Sequence, residues 1–153
     1  VTQERLMKRR MTRAIILFFL TLIALLVFIG LYIDETHRVQ ETYRAQFITN
    51  LKKTDESIES YLNADGDLPL RYRRILSDYS CATSYGFQLE MLTDDQRRSI
   101  NELHACLLKY PEQMQKAETL KAMKTAVVDM SQNLDKGFDE AAKVVASIDK
   151  KGK

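Results

Sequence analysis

Apolar residues follow three different patterns along the chain. The first is an unbroken run, Ala14 to Ile33, reading AIILFFLTLIALLVFIGLYI, with only Thr21, Gly30 and Tyr32 as interruptions and no charge. A helix of this length spans roughly 30 Å, the hydrocarbon thickness of a bilayer. Being apolar on every face, it predicts a transmembrane helix rather than the amphipathic element of a small soluble core. A cleaved signal peptide has a shorter apolar region, about 7–15 residues, followed by a small-x-small site. Here the run ends in Leu31-Tyr32-Ile33-Asp34-Glu35, so an uncleaved signal anchor is expected.

The second pattern is helical periodicity. Val39, Tyr43, Phe47, Leu51, Ile58, Tyr61 and Leu62 predict a helix over about Thr36 to Ala64, continuous with the span and stopped by Asp65-Gly66-Asp67. A second helix starts near Pro69, capped by Asp67, with Tyr72, Ile75, Leu76 and Tyr79 as its stripe and Gly86 as its stop. Between Cys81 and Leu92 the pattern fails, which predicts a short extended or irregular linker. Thr93-Asp94-Asp95-Gln96 opens a third helix with a capping box. Its face is Ile100, Leu103, His104, Leu107 and Leu108, and Pro111 breaks it.

The third pattern is a seam with steps of three and four over about Glu112 to Asp149. Its members are Leu120, Met123, Val127, Met130, Leu134, Gly137, Ala141, Val144 and Ile148. Such an a/d stripe predicts one long helix packed at a shallow angle, with Gly137 and Ala141 allowing close approach. The expected partner is the first outer helix. The same seam in a second copy, giving a homodimer, is the other option. Lys150 to Lys153 reads as a frayed tail. The fold class expected is therefore all-α: one N-terminal transmembrane helix and an extracytoplasmic antiparallel bundle of about four helices.

Charge gives the orientation. Arg5, Lys8, Arg9, Arg10 and Arg13 precede the span against a single Glu4, whereas Arg38 and Arg44 are the only cations from Asp34 to Gln46. Positive flanks stay in the cytoplasm. The expected organisation is a basic cytoplasmic stub (1–13), a signal anchor (14–33) and an extracytoplasmic domain (34–153) at the plasma (inner) membrane. No second apolar run follows, so the chain is expected to end outside. The chain carries a net +2, but residues 34–153 hold 18 Lys and Arg against 20 Asp and Glu, a net of −2. The basic excess thus belongs to the stub, where it meets anionic lipid, and a nucleic-acid partner is not expected.

Candidate chemistry is sparse. His37 and His104 are the only histidines. His104 lies in an apolar stripe, and Cys106, two positions on, faces another way, which makes a poor metal pair. No CxxC, HExxH, GxSxG or phosphate-cradling glycine loop occurs, so neither an enzyme, a cofactor nor a metal site is expected. Cys81 and Cys106 both fall in the outer segment. Their even number in an oxidising compartment favours a disulfide, with two independent small side chains as the other reading. Arg71, Arg73 and Arg74 cluster early in the second helix, and Arg97 and Arg98 early in the third. Guanidinium forks suit carboxylates or phosphates, so Arg71, Arg74, Arg97 and Arg98 are candidate anion contacts, with a solvated surface as the plainer reading.

In layout, a basic stub, one span and an outer helical bundle resemble the first part of a bacterial chemoreceptor or sensor kinase with a four-helix ligand-binding domain. No motif carries the likeness, and no family is assigned on it. Two functions remain. The first is an anchored, non-catalytic interaction module, an accessory subunit or scaffold contacting another membrane or extracytoplasmic protein. The alternative is a sensor-like domain binding a small anion.

Overall fold

A computed structural model describes residues 2–150. Among these the protein is entirely helical: α1 (Thr2–Leu62), α2 (Leu68–Gln88), α3 (Asp94–Lys109), α4 (Pro111–Met114), α5 (Ala117–Gln132) and α6 (Phe138–Ser147). The tail at 151–153 lies outside the described residues. Contacts divide the chain into two units, the first ending at Val39 and the second beginning at Gln40.

In the first unit every side chain from Gln3 to Glu35 is exposed. Its apolar residues, Leu26 at 61% and Phe28 at 76% among them, have no cover from the chain. Thr21 donates its hydroxyl to the carbonyl of Leu17 (2.8 Å), so the hydroxyl in the middle of the apolar run is satisfied within the helix. The helix is long and apolar enough to cross a membrane.

The second unit holds the core. Among the buried positions of α1, Phe47, Leu51, Thr54, Ile58 and Tyr61 form an uninterrupted a/d series, with Asn50 and Ser57 buried beside it. Thr54 is the member that a search for apolar residues skips. Its hydroxyl is satisfied by the Asn50 carbonyl (2.8 Å), which is why a polar residue can sit at full burial. The helices α1 and α2 run antiparallel: Ser57 bonds to Asp78, Arg71 to Ser60, and Gln40 to the carbonyl of Gln88. So do α2 and α3, where the phenols of Tyr72 and Tyr79 donate to the carbonyls of Leu107 (2.8 Å) and Ile100 (3.3 Å). Burial raises the pKa of both phenols, so they stay protonated donors. Lys124 joins α5 to α1 through Glu59 (3.2 Å) and Asp55 (3.6 Å).

Four local expectations need correction. Helix α2 continues through Cys81 to Gln88, so the irregular linker is only residues 89–93. Gly86 does not stop it. A Cβ there would lie 3.1 Å from the ring of Phe47 and 3.4 Å from Ile100, so this glycine lets α1 and α3 approach α2. Asp67 precedes α2 but makes no side-chain cap, because it sits in the left-handed region at φ 56°. On α3, Leu108 is exposed and Cys106 buried, so the stripe is rotated from the expected one.

The largest correction concerns the final seam. It is not one helix but a hairpin, α5 and α6, and α6 packs on both α5 and α3. The break is an Asx turn: the Asp135 N–H donates to the Asn133 side chain (3.1 Å), and Gly137 follows at φ 87°. All eight apolar members other than Gly137 are nonetheless buried, from Leu120 and Val127 at 0% to Leu134 and Ile148 at 6%. The seam is thus closed within one chain. Gly137 does permit close approach, but of its own backbone to Ala126 and Met130 in α5.

The capping box of α3 forms as expected. Gln96 N–H donates to the Thr93 hydroxyl (3.3 Å), and the Thr93 N–H donates to the Gln96 side chain (2.9 Å). Thr93→Ala should therefore lower stability by about 1 kcal/mol. Equilibrium denaturation of the full chain in nonionic detergent, followed through the helices of the second unit, checks this; an unchanged midpoint would show that the box contributes nothing.

Candidate functional site

One cleft of the second unit lies between the last turns of α1 and the first turns of α2. Ser57 and Ser60 come from α1, Asp67 from the turn before α2, and Leu70, Arg71, Arg73, Arg74 and Ser77 from the first turns of α2. The volume is about 580 Å3. Antiparallel packing of α1 against α2 brings these residues together. Leu70, Arg73, Arg74 and Ser77 follow the i, i+3, i+4, i+7 spacing of one helix face.

Arg71 is fixed within this cleft. Its Nε donates to the Gly66 carbonyl (3.2 Å), and its Nη1 to the Ser60 carbonyl (3.2 Å) and to the Ser60 hydroxyl. It ties the 63–67 turn back onto α1. Asp78 accepts from the Ser57 hydroxyl. Arg73 and Arg74 have neither hydrogen bond nor ion pair among the described residues, and both are exposed.

The four arginines proposed from sequence do not form one site. The antiparallel register sets Tyr72 opposite Leu107 and Tyr79 opposite Ile100. Arg71 and Arg97 are then about eleven residues apart along the helix pair, roughly 16 Å at 1.5 Å per residue. Arg97 instead bonds to Asp94 (3.1 Å) and the Leu89 carbonyl (2.6 Å), closing the α2–α3 linker. Arg98 pairs with Asp95 (3.4 Å). Arg97 thus ties the linker to α3, and Arg98 lies on the exposed surface of α3. Arg73, which the sequence grouped with its neighbours but ranked below Arg71 and Arg74, belongs to the cleft.

The expected disulfide is absent. Both thiols are free, Cys81 exposed and Cys106 buried. The same register puts Cys81 about eight residues from the level of Cys106, roughly 12 Å, whereas a bridge needs Cα atoms within about 7 Å. Burial raises the Cys106 thiol pKa and lowers that of His104, which lies beside the Tyr79 ring at 6.3 Å. His104 is thus a half-buried packing residue, and among the described residues no cluster suited to a metal ion occurs.

No protein-family model matches this chain, and no curated protein or solved structure matches it.

Proposed function

We propose that this chain is a single-pass, membrane-anchored helical interaction module, serving as an accessory subunit or scaffold of a membrane complex. Residues 1–13 lie in the cytoplasm, 14–33 cross the plasma (inner) membrane, and 34–153 form an extracytoplasmic antiparallel bundle. One observation carries the reading: an uncharged run that no other part of the chain covers. So large an apolar surface is not stable in water, and a bilayer is the solvent that matches its length. The basic flank at Arg5 to Arg13 supports the cytoplasmic placement of the N-terminus. The interaction role is supported by a core already closed within one chain, while Phe87, Met91 and Leu108 stay more than half exposed.

Purification of the full chain from its own membranes in mild nonionic detergent tests the role. A stoichiometric protein partner, lost on Phe87→Ser plus Met91→Ser, is expected; a chain isolated alone and unaffected by these changes would contradict it. The second reading, a sensor-like domain, is favoured by one feature, the arginine cleft.

A further inference from the structure

We propose that the cleft between the end of α1 and the start of α2 binds an organic dianion, a phosphomonoester or a dicarboxylate, through Arg73 and Arg74. This inference rests on the sensor-like reading of the cleft and not on the membrane anchor.

The first argument is charge pairing. Three other arginines of the second unit have an acid three residues earlier, on the same helix face: Arg44 follows Glu41, Arg97 follows Asp94 and Arg98 follows Asp95. Arg73 and Arg74 have Leu70 and Arg71 at that spacing instead. Two adjacent guanidinium groups, with a third one turn back, repel one another without a counter-ion. A bound anion removes that repulsion. Asp67 and Asp78 offset part of the charge, yet Asp78 is engaged by the Ser57 hydroxyl, and the five groups together still carry one net positive charge.

The second argument is shape and preorganisation. Arg71 is held by Gly66 and Ser60, so the wall of the cleft is set before any ligand arrives. The volume of about 580 Å3 falls in the range of small-molecule sites, roughly 300–1,000 Å3, and exceeds what a bare inorganic ion fills. Exposed Leu70 offers a surface for a carbon skeleton.

The third argument is donor count. Arg73 and Arg74 each present five N–H donors, and the Ser77 hydroxyl lies on the same face. A single carboxylate has about four lone-pair sites, fewer than these donors. A phosphate group or a pair of carboxylates matches them better, with bidentate geometry available to both.

A phosphomonoester reaches this cleft from two sources, a free solute or the headgroup of phosphatidic acid. Calorimetry on the full chain in nonionic micelles at low ionic strength separates them, with glycerol 3-phosphate, succinate and micelle-dissolved phosphatidic acid as probes. At least one probe should bind with submillimolar affinity. Arg73→Gln with Arg74→Gln should weaken it by roughly tenfold or more, as expected for losing charge-assisted hydrogen bonds. Arg98→Gln, at the far end of the helix pair, should leave it unchanged. Binding of phosphatidic acid alone, with that sensitivity, supports the site and assigns the lipid source; binding of a soluble probe assigns the free one. No heat with any probe at millimolar concentration would overturn the proposal. So would binding that ignores the Arg73 and Arg74 changes, or that Arg98→Gln reduces equally. None of these results bears on whether residues 14–33 cross a membrane.

Discussion

Val127→Asp in the full chain should abolish cooperative unfolding of the second unit's helices. Val127 is fully buried among the facing residues of α5. An aspartate there must either bury an unpaired carboxylate or take up a proton, and loses the valine's apolar contacts as well. The cost is about 4 kcal/mol or more, a large part of the roughly 5–15 kcal/mol that holds a domain together. Because the seam closes within one chain, the loss should be independent of protein concentration. Cys106 reports it directly, since the thiol is buried and reacts only when the core opens. Rapid labelling of Cys106 in the variant, at every concentration, is the expected result. A folded monomer with protected Cys106 would mean that the seam is an oligomer contact instead.

Gly137→Val should have a comparable effect confined to the end of the chain. Gly137 sits at φ 87°, where a side chain is strained, and a Cβ would run into the Ala126 carbonyl oxygen and lie 2.8 Å from the Met130 nitrogen. Both obstacles are backbone of α5 and cannot rotate away. Left-handed strain alone costs roughly 1–2 kcal/mol; the clash should raise the total to about 3 kcal/mol or more. Relief comes by releasing α6, which would expose Phe138, Val144 and Val145. Limited trypsin digestion should then cut at Lys136 well before any site in α3. Gly66→Ala is the control, because nothing lies within 4 Å of a Cβ at that position. A Gly137→Val protein as resistant as the Gly66→Ala protein would show that the hairpin tolerates another turn.

The contrast between these two glycines shows what was legible in the sequence. The apolar run, the capping box at Thr93 and the break at Pro111 were all readable, because each depends on neighbours within a few positions. The hairpin at Asn133 to Gly137 was not. Steps of three and four run through it without a gap, from Met130 to Leu134, Gly137 and Ala141, so periodicity alone reads one straight helix. The Asn-Leu-Asp-Lys-Gly turn chemistry was the available signal. Gly86 misled in the opposite direction: it resembles a stop, yet its reason lies in Phe47, thirty-nine positions earlier.

The cleft was half legible for the same reason. That arginines crowd the first turns of α2 is plain in the sequence. Which arginines act together depends on helix register. The phenols of Tyr72 and Tyr79 set that register against α3, and it separates Arg97 and Arg98 from Arg71 and also Cys81 from Cys106. The serines opposite, Ser57 and Ser60, become part of the site only when α1 returns along α2.

The central claim is that one helix anchors the outer bundle with its N-terminus inside. The two free cysteines allow the most direct test, since Cys81 is exposed and Cys106 is not. Intact bacterial cells producing the full chain are treated with a membrane-impermeant maleimide, and the carbonate-washed membranes are then analysed. The account predicts that the protein stays in those membranes and carries the label at Cys81 alone, without permeabilisation. Labelling of Cys81 only after the membrane is breached, or release of the chain by carbonate, would contradict it.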